Sequence, residues 1–117
     1  MELDAIFFDA GNTLIFIDPA VILPIFREHG ATTTEDAFWE AEFEARSGLG
    51  RRVEEGASGT EAHMWNGYFS DLFLGCGVPP ERLEEVGRRV WEAHRQSHLW
   101  TWVDPATPEA LATLRER

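Results

Sequence analysis

Leu3 to Asp9 is the one stretch of this chain that reads as a buried strand, a short and continuously apolar run of the kind covered on both faces of a parallel sheet. One strand cannot make a sheet, so the rest of the fold has to be built from the residues after it. After a turn, Leu14 to Ile17 suits a second short extended piece, and then helical spacing runs almost to residue 98. The inventory is therefore one strand, about four helices and a further helix near Arg117, which predicts an α/β chain whose sheet is incomplete.

The helices are marked by their ends. Pro19 suits a first helical turn, Val21, Ile22, Ile25 and Phe26 lie on one side, and Gly30 provides a stop. Thr32 and Glu35 have the spacing of a capping box for a second helix, in which Phe38, Ala41 and Ala45 share a face next to Trp39 and Phe43. Ser47 to Gly59 is rich in glycine, serine and charge and is predicted to be a loop, closed by a second capping box at Ser58 and Glu61. Trp65, Tyr68, Phe69, Leu72 and Phe73 then form a core-facing stripe on a third helix, broken by the segment Gly75 to Pro80. Glu81 to about His98 is predicted as a fourth helix with Leu83, Val86 and Val90 in line. Thr107-Pro108 reads as a cap with proline at the first helical position of a fifth.

Composition narrows the partners. A net charge of −11, with ten arginines and no lysine, disfavours nucleic acid and anionic membrane, since affinity for polyanions comes mostly from basic side chains on phosphates. Met1-Glu2-Leu3-Asp4 is acidic where a secretory leader is basic, and the apolar run Ile15 to Phe26 is interrupted by Asp18, Pro19 and Pro24, so neither targeting nor membrane spanning is expected. Cys76 is the only cysteine; it suits a reducing, cytoplasmic setting and a role as a small buried hydrophobe at a helix end.

The chemistry-bearing stretch is Phe7-Phe8-Asp9-Ala10-Gly11-Asn12-Thr13-Leu14. It delivers a carboxylate at the end of a buried strand, where open α/β sheets bind their ligands, although an aspartate that merely caps a turn fits the same residues. The pattern Asp9-Ala10-Gly11-Asn12-Thr13 with its apolar flank resembles the first motif of the haloacid dehalogenase (HAD) superfamily, which reads Asp-x-Asp-Gly-Thr. The nucleophilic Asp and the Thr match, while Gly11 stands at the second Asp and Asn12 at the Gly.

That resemblance implies a Rossmann-like core with a helical cap of the first type inserted just after its first strand. Residues 1–17 would be the first core strand and flap, 18–100 the four-helix cap, and 101–117 the return segment and helix of a core left incomplete in this chain. It also implies hydrolysis of a small phosphorylated metabolite through an aspartyl-phosphate on Asp9. Thr13 would orient the turn, and a magnesium ion would be held by the Asp9 carboxylate and the Gly11 carbonyl.

Glycine cannot act as the general acid and base that the family's second Asp supplies. Either water or another group substitutes, or the leaving group is good, as in an acyl phosphate or phenolate, or the reaction is another one. Carbon–halogen hydrolysis and a non-catalytic helical interaction module both stay open. The family's further Ser or Thr, its basic residue and its acidic pair would lie beyond Arg117, so the 117-residue chain by itself is expected to be nearly inactive and, with strand edges unpaired, to self-associate.

Three groups have two readings each. His94 and His98, four apart, suit either zinc or helix-end packing. Trp91, Trp100 and Trp102 suit either closure over a substrate or packing at a hinge. Arg51-Arg52 and Arg88-Arg89 suit either an anion or a solvated face.

Overall fold

The computed structural model describes residues 15–54 and 61–116, the side chains of 53, 54 and 61–65 excepted; the strand predicted at Leu3 to Asp9 and the cap residue Ser58 lie outside them. The described residues are mostly helical, with one small sheet. In chain order they form β1 (Phe16–Ile17), α1 (Pro19–Glu28), α2 (Glu35–Glu54), α3 (Glu61–Gly75), a 3-10 turn (Pro80–Arg82), α4 (Leu83–Gln96), β2 (Trp100–Trp102) and α5 (Thr107–Arg115). No described helix is long and apolar enough to cross a membrane.

β1 and β2 pair antiparallel, Phe16 opposite Trp102 and Ile17 opposite Trp100. One step along β1 thus matches two along β2, and Thr101 is the extra residue of a bulge. The Asp18 amide donates to the Leu99 carbonyl at 3.0 Å and continues the ribbon by one bond. The chain therefore enters and leaves the α1–α4 body side by side. β2 is absent from the sequence-based expectation because three residues give no periodicity and their partner is remote in the chain.

Helix ends follow local chemistry. The Asp18 carboxylate accepts from the Ala20 amide at 2.9 Å and caps α1, with Pro19 at its first position. Pro24 sits inside α1 without ending it; Ala20, whose carbonyl would have bonded to residue 24, is exposed. Gly30 and Gly77, at φ 95° and 85°, close α1 and α3 by the same device. The Ala31 amide reaches back to Phe26 O and the Val78 amide to Phe73 O, satisfying carbonyls that a helix end leaves open. Between α1 and α2 the Arg27 guanidinium donates to Thr33 O at 3.0 Å and pins the connection.

Four boundaries differ from expectation. The capping box at Thr32 and Glu35 does not form: the cap is Thr34, whose hydroxyl accepts from the Ala37 amide at 3.2 Å. Ser47 to Glu54 is helix, not loop, because Ala45 is buried and Arg52 pairs with Asp71 across the α2–α3 seam, packing that outweighs the low propensity of Gly48 and Gly50. The predicted fourth helix is a 3-10 turn leading into α4, which ends at Gln96, two residues before His98. Thr107 is the first residue of α5 and not its cap; the Asp104 carboxylate accepts from the Ala106 amide at 2.9 Å just before it.

The core is made by one face of each of the first four helices plus the ribbon. Ile22 and Phe26 of α1, Phe38 of α2, Tyr68 and Leu72 of α3 and Val86 of α4 are wholly buried, with Ile17 and Leu99 closing the ribbon end. The Phe26 and Phe73 rings meet edge to face at 5.3 Å. His29, buried at the end of α1, donates from Nδ1 to Ile25 O at 2.7 Å and faces Glu85 Oε1 at 3.4 Å from Nε2, tying α1 to α4. No side chain of α5 is buried.

Candidate functional site

Asp9, Gly11 and Thr13, the residues expected to carry chemistry, lie outside the described residues, so the structure neither joins nor separates them. It does describe the neck that begins just after them. There Phe16 meets Trp39 at 5.8 Å and Trp102 at 6.0 Å, and Trp39 meets Trp102 at 4.6 Å. The Arg46 guanidinium stands 5.4 Å over the Phe16 ring and 5.6 Å over that of Phe43. Trp102 thus packs at the neck, in keeping with a hinge. Trp91 does not: it is 60% exposed on α4, away from that cluster.

Arg46 also faces Glu42 Oε2 at 3.5 Å, one turn earlier on α2. Glu42 is buried in the seam with α3, where Tyr68 donates its hydroxyl proton to Glu42 Oε1 at 3.3 Å. Burial raises the Glu42 pKa above the usual carboxylate value, and the Arg46 charge and the Tyr68 hydroxyl offset this only in part. Nothing in the sequence marks Glu42 as different from the neighbouring glutamates, except that it lies one residue from Ala41 on the core side of α2.

The two histidines do not share a helix face, since α4 stops at Gln96. The Leu99 amide donates to His94 Nδ1 at 3.4 Å and the Trp100 amide to His98 Nδ1 at 3.2 Å, while the two rings touch at 4.6 Å. One nitrogen of each ring is thereby committed to the backbone. Among the described residues no group of three or more potential metal ligands occurs, and both rings sit beyond or at the end of α4 bonded to the backbone there. Arg52 pairs with Asp71 and Arg89 with Glu92, while Arg51 and Arg88 are exposed. Cys76 is buried, and loss of water pushes its thiol up to about 11, partly countered by a hydrogen bond with the Thr33 side chain; it is not a nucleophile at neutral pH.

Two hollows flank α3. The one toward α2 is floored by small residues, Ala41, Ala45 and Gly48, and edged by charge: Glu40, Glu44, Arg52 and Asp71. The other lies between α3, α4 and the start of β2, encloses about 700 Å³ and is mainly apolar. Phe69 and Phe73 of α3 face Leu83 and Val90 of α4 across it, with Leu99 at its end. Trp91 and Trp100 stand at its sides, and Asn66, Ser70 and His94 add polar side chains to it. Gly87 leaves it open: a Cβ there would stop 4.0 Å short of Phe73 Cε2, in ordinary contact and nothing closer. Sequence inspection missed this hollow because its walls come from three elements and its opening depends on a side chain that is not there. Compared with known protein families, with curated proteins and with solved structures, the chain matches none.

Proposed function

We propose that this chain is the amino-terminal part of a HAD-like hydrolase, a magnesium-dependent small-molecule phosphatase in which α1–α4 form the cap. The observation that supports the reading is the ribbon. β1 and β2 hold the two ends of the helical body together, so the body behaves as an insertion placed a few residues after Asp9.

In this proposal an Asp9 carboxylate oxygen attacks phosphorus, the bond from phosphorus to the leaving oxygen breaks, and that oxygen takes a proton from water because Gly11 has none to give. Water then attacks phosphorus, the bond to Asp9 breaks, and inorganic phosphate leaves with the carboxylate restored. The donors proposed for magnesium, the Asp9 carboxylate and the Gly11 carbonyl, are hard oxygens of the kind that cation selects, and when bound it would neutralise phosphoryl charge. Arg46, held at the neck by Glu42 and two phenylalanine rings, adds positive charge on the cap side.

The test is hydrolysis of an aryl phosphate by the full-length gene product with magnesium. Turnover is expected, with loss of at least about 10³-fold in Asp9→Asn, the scale of removing a covalent catalyst. Turnover retained in that variant sinks the assignment. A second reading, a helical binding module without catalysis, is favoured by Gly11 and by the apolar hollow; it predicts no turnover in either protein.

A further inference from the structure

We infer that the hollow between α3, α4 and β2 is a binding site for an uncharged, mainly aromatic small molecule that carries one hydrogen-bond acceptor. Its size, about 700 Å³, falls in the range of roughly 300 to 1,000 Å³ typical of small-molecule sites, which are likewise apolar with a few placed polar groups. Its shape comes from the α4 face on which Leu83, Gly87 and Val90 succeed one another. The glycine removes the side chain that would otherwise meet Phe73 and fill the space.

The aromatic preference comes from the walls. Trp91 and Trp100 both contact the His94 ring, at 5.5 Å each, so three planar groups border one end of the hollow. Trp91, the more exposed of the two tryptophans, presents an indole to water that an occupant would cover.

The acceptor is set by His94. Its Nδ1 accepts from the Leu99 amide, so the neutral ring carries its proton on Nε2 and offers a donor. The lack of charge is set by the lining, which among the described residues contains no Asp, Glu, Lys or Arg, in a protein of net charge −11. An anionic occupant would meet no arginine or lysine among these described residues and a repulsive surrounding field; a cationic one would meet no carboxylate among them. Binding in this hollow is independent of the hydrolase reading.

The experiment titrates the full 117-residue chain with 2-acetylnaphthalene, read by quenching of tryptophan emission and by equilibrium dialysis. Saturable one-site binding is expected, at least tenfold tighter than that of 2-naphthoate, which has a similar ring system and a negative charge. Gly87→Leu, which fills the hollow from α4, should weaken binding at least tenfold with an undiminished melting temperature. Should that variant melt early, Ser70→Trp plugs the same space from an exposed position on α3 and should weaken binding equally. Gly50→Leu, on the open surface of α2, should bind as the parent does, and so should Asp9→Asn, whatever its effect on turnover. Absence of saturable binding overturns the proposal, as do equal affinity for the naphthoate and unchanged affinity in both filled variants.

Discussion

The two sides of α3 solve the same packing problem in opposite ways. Toward α2, at Ala41 and Gly75, the contact residues are small, and the helices come so close that a Cβ on Gly75 would lie 2.9 Å from the Ala41 Cβ. Toward α4 the contact residues are large and aromatic, yet Gly87 leaves a vacant volume between them. A small side chain therefore has two meanings. Where the backbones approach, it is the condition of contact; where large rings hold the backbones apart, it creates a space. The seam is then finished by polar pairs, Arg52 with Asp71 and Tyr68 with Glu42, while the hollow is lined mainly by apolar side chains.

The contrast can be broken most forcefully at the seam. Gly75→Leu should force α2 and α3 apart and cost about 1 to 3 kcal/mol, the scale of overpacking, read as a lower denaturant midpoint with unchanged slope. A neutral result would mean that the close approach is not needed for stability. The same kind of change across α3 should have the opposite sign: Gly87→Ala adds a methyl in ordinary contact with Phe73 and removes a helical glycine, and should stabilise by roughly 0.5 to 1 kcal/mol. Destabilisation there would show that the space is required by the fold.

The finest test concerns the carboxylate in the seam. Because burial raises the Glu42 pKa in the folded state, the folded protein binds this proton more tightly than the unfolded chain does. Its contribution is fully present below the model-peptide value of 4.5 and is lost as pH rises through the folded value. Glu42→Gln, which cannot ionise, should therefore gain melting temperature relative to the parent on going from about pH 4 to about pH 7. A difference that stays flat across that interval would place Glu42 in contact with more water or more positive charge than the seam provides.

Much of the helical body is legible in the sequence because its signals are local. Asp18-Pro19, Gly30 and the break at Gly75 to Pro80 specify ends through bonds to residues a turn away. Phe38, Ala41 and Ala45, like Tyr68 and Leu72, reveal their buried faces by spacing alone. What escaped depends on partners far along the chain. Gly48 and Gly50 look like loop residues until α3 is beside them, and Trp100 to Trp102 becomes a strand only because Phe16 and Ile17 lie alongside. The lone features of the candidate chemistry, Asp9, Gly11 and Thr13, are legible as a motif and lie outside the described residues, whereas the hollow is visible only in three dimensions.

The ribbon of β1 and β2 also brings the two ends of the helical body side by side. Paired strands run about 5 Å apart, a span that a two-residue turn bridges. Residues 16 and 102 could thus be joined directly, deleting every helix between them, and the excised body could be circularised or grafted into a host loop by the same pair of strands. Among the described residues, bending confined to Phe16 and Trp102 would carry Arg46 and the aromatic hollow together.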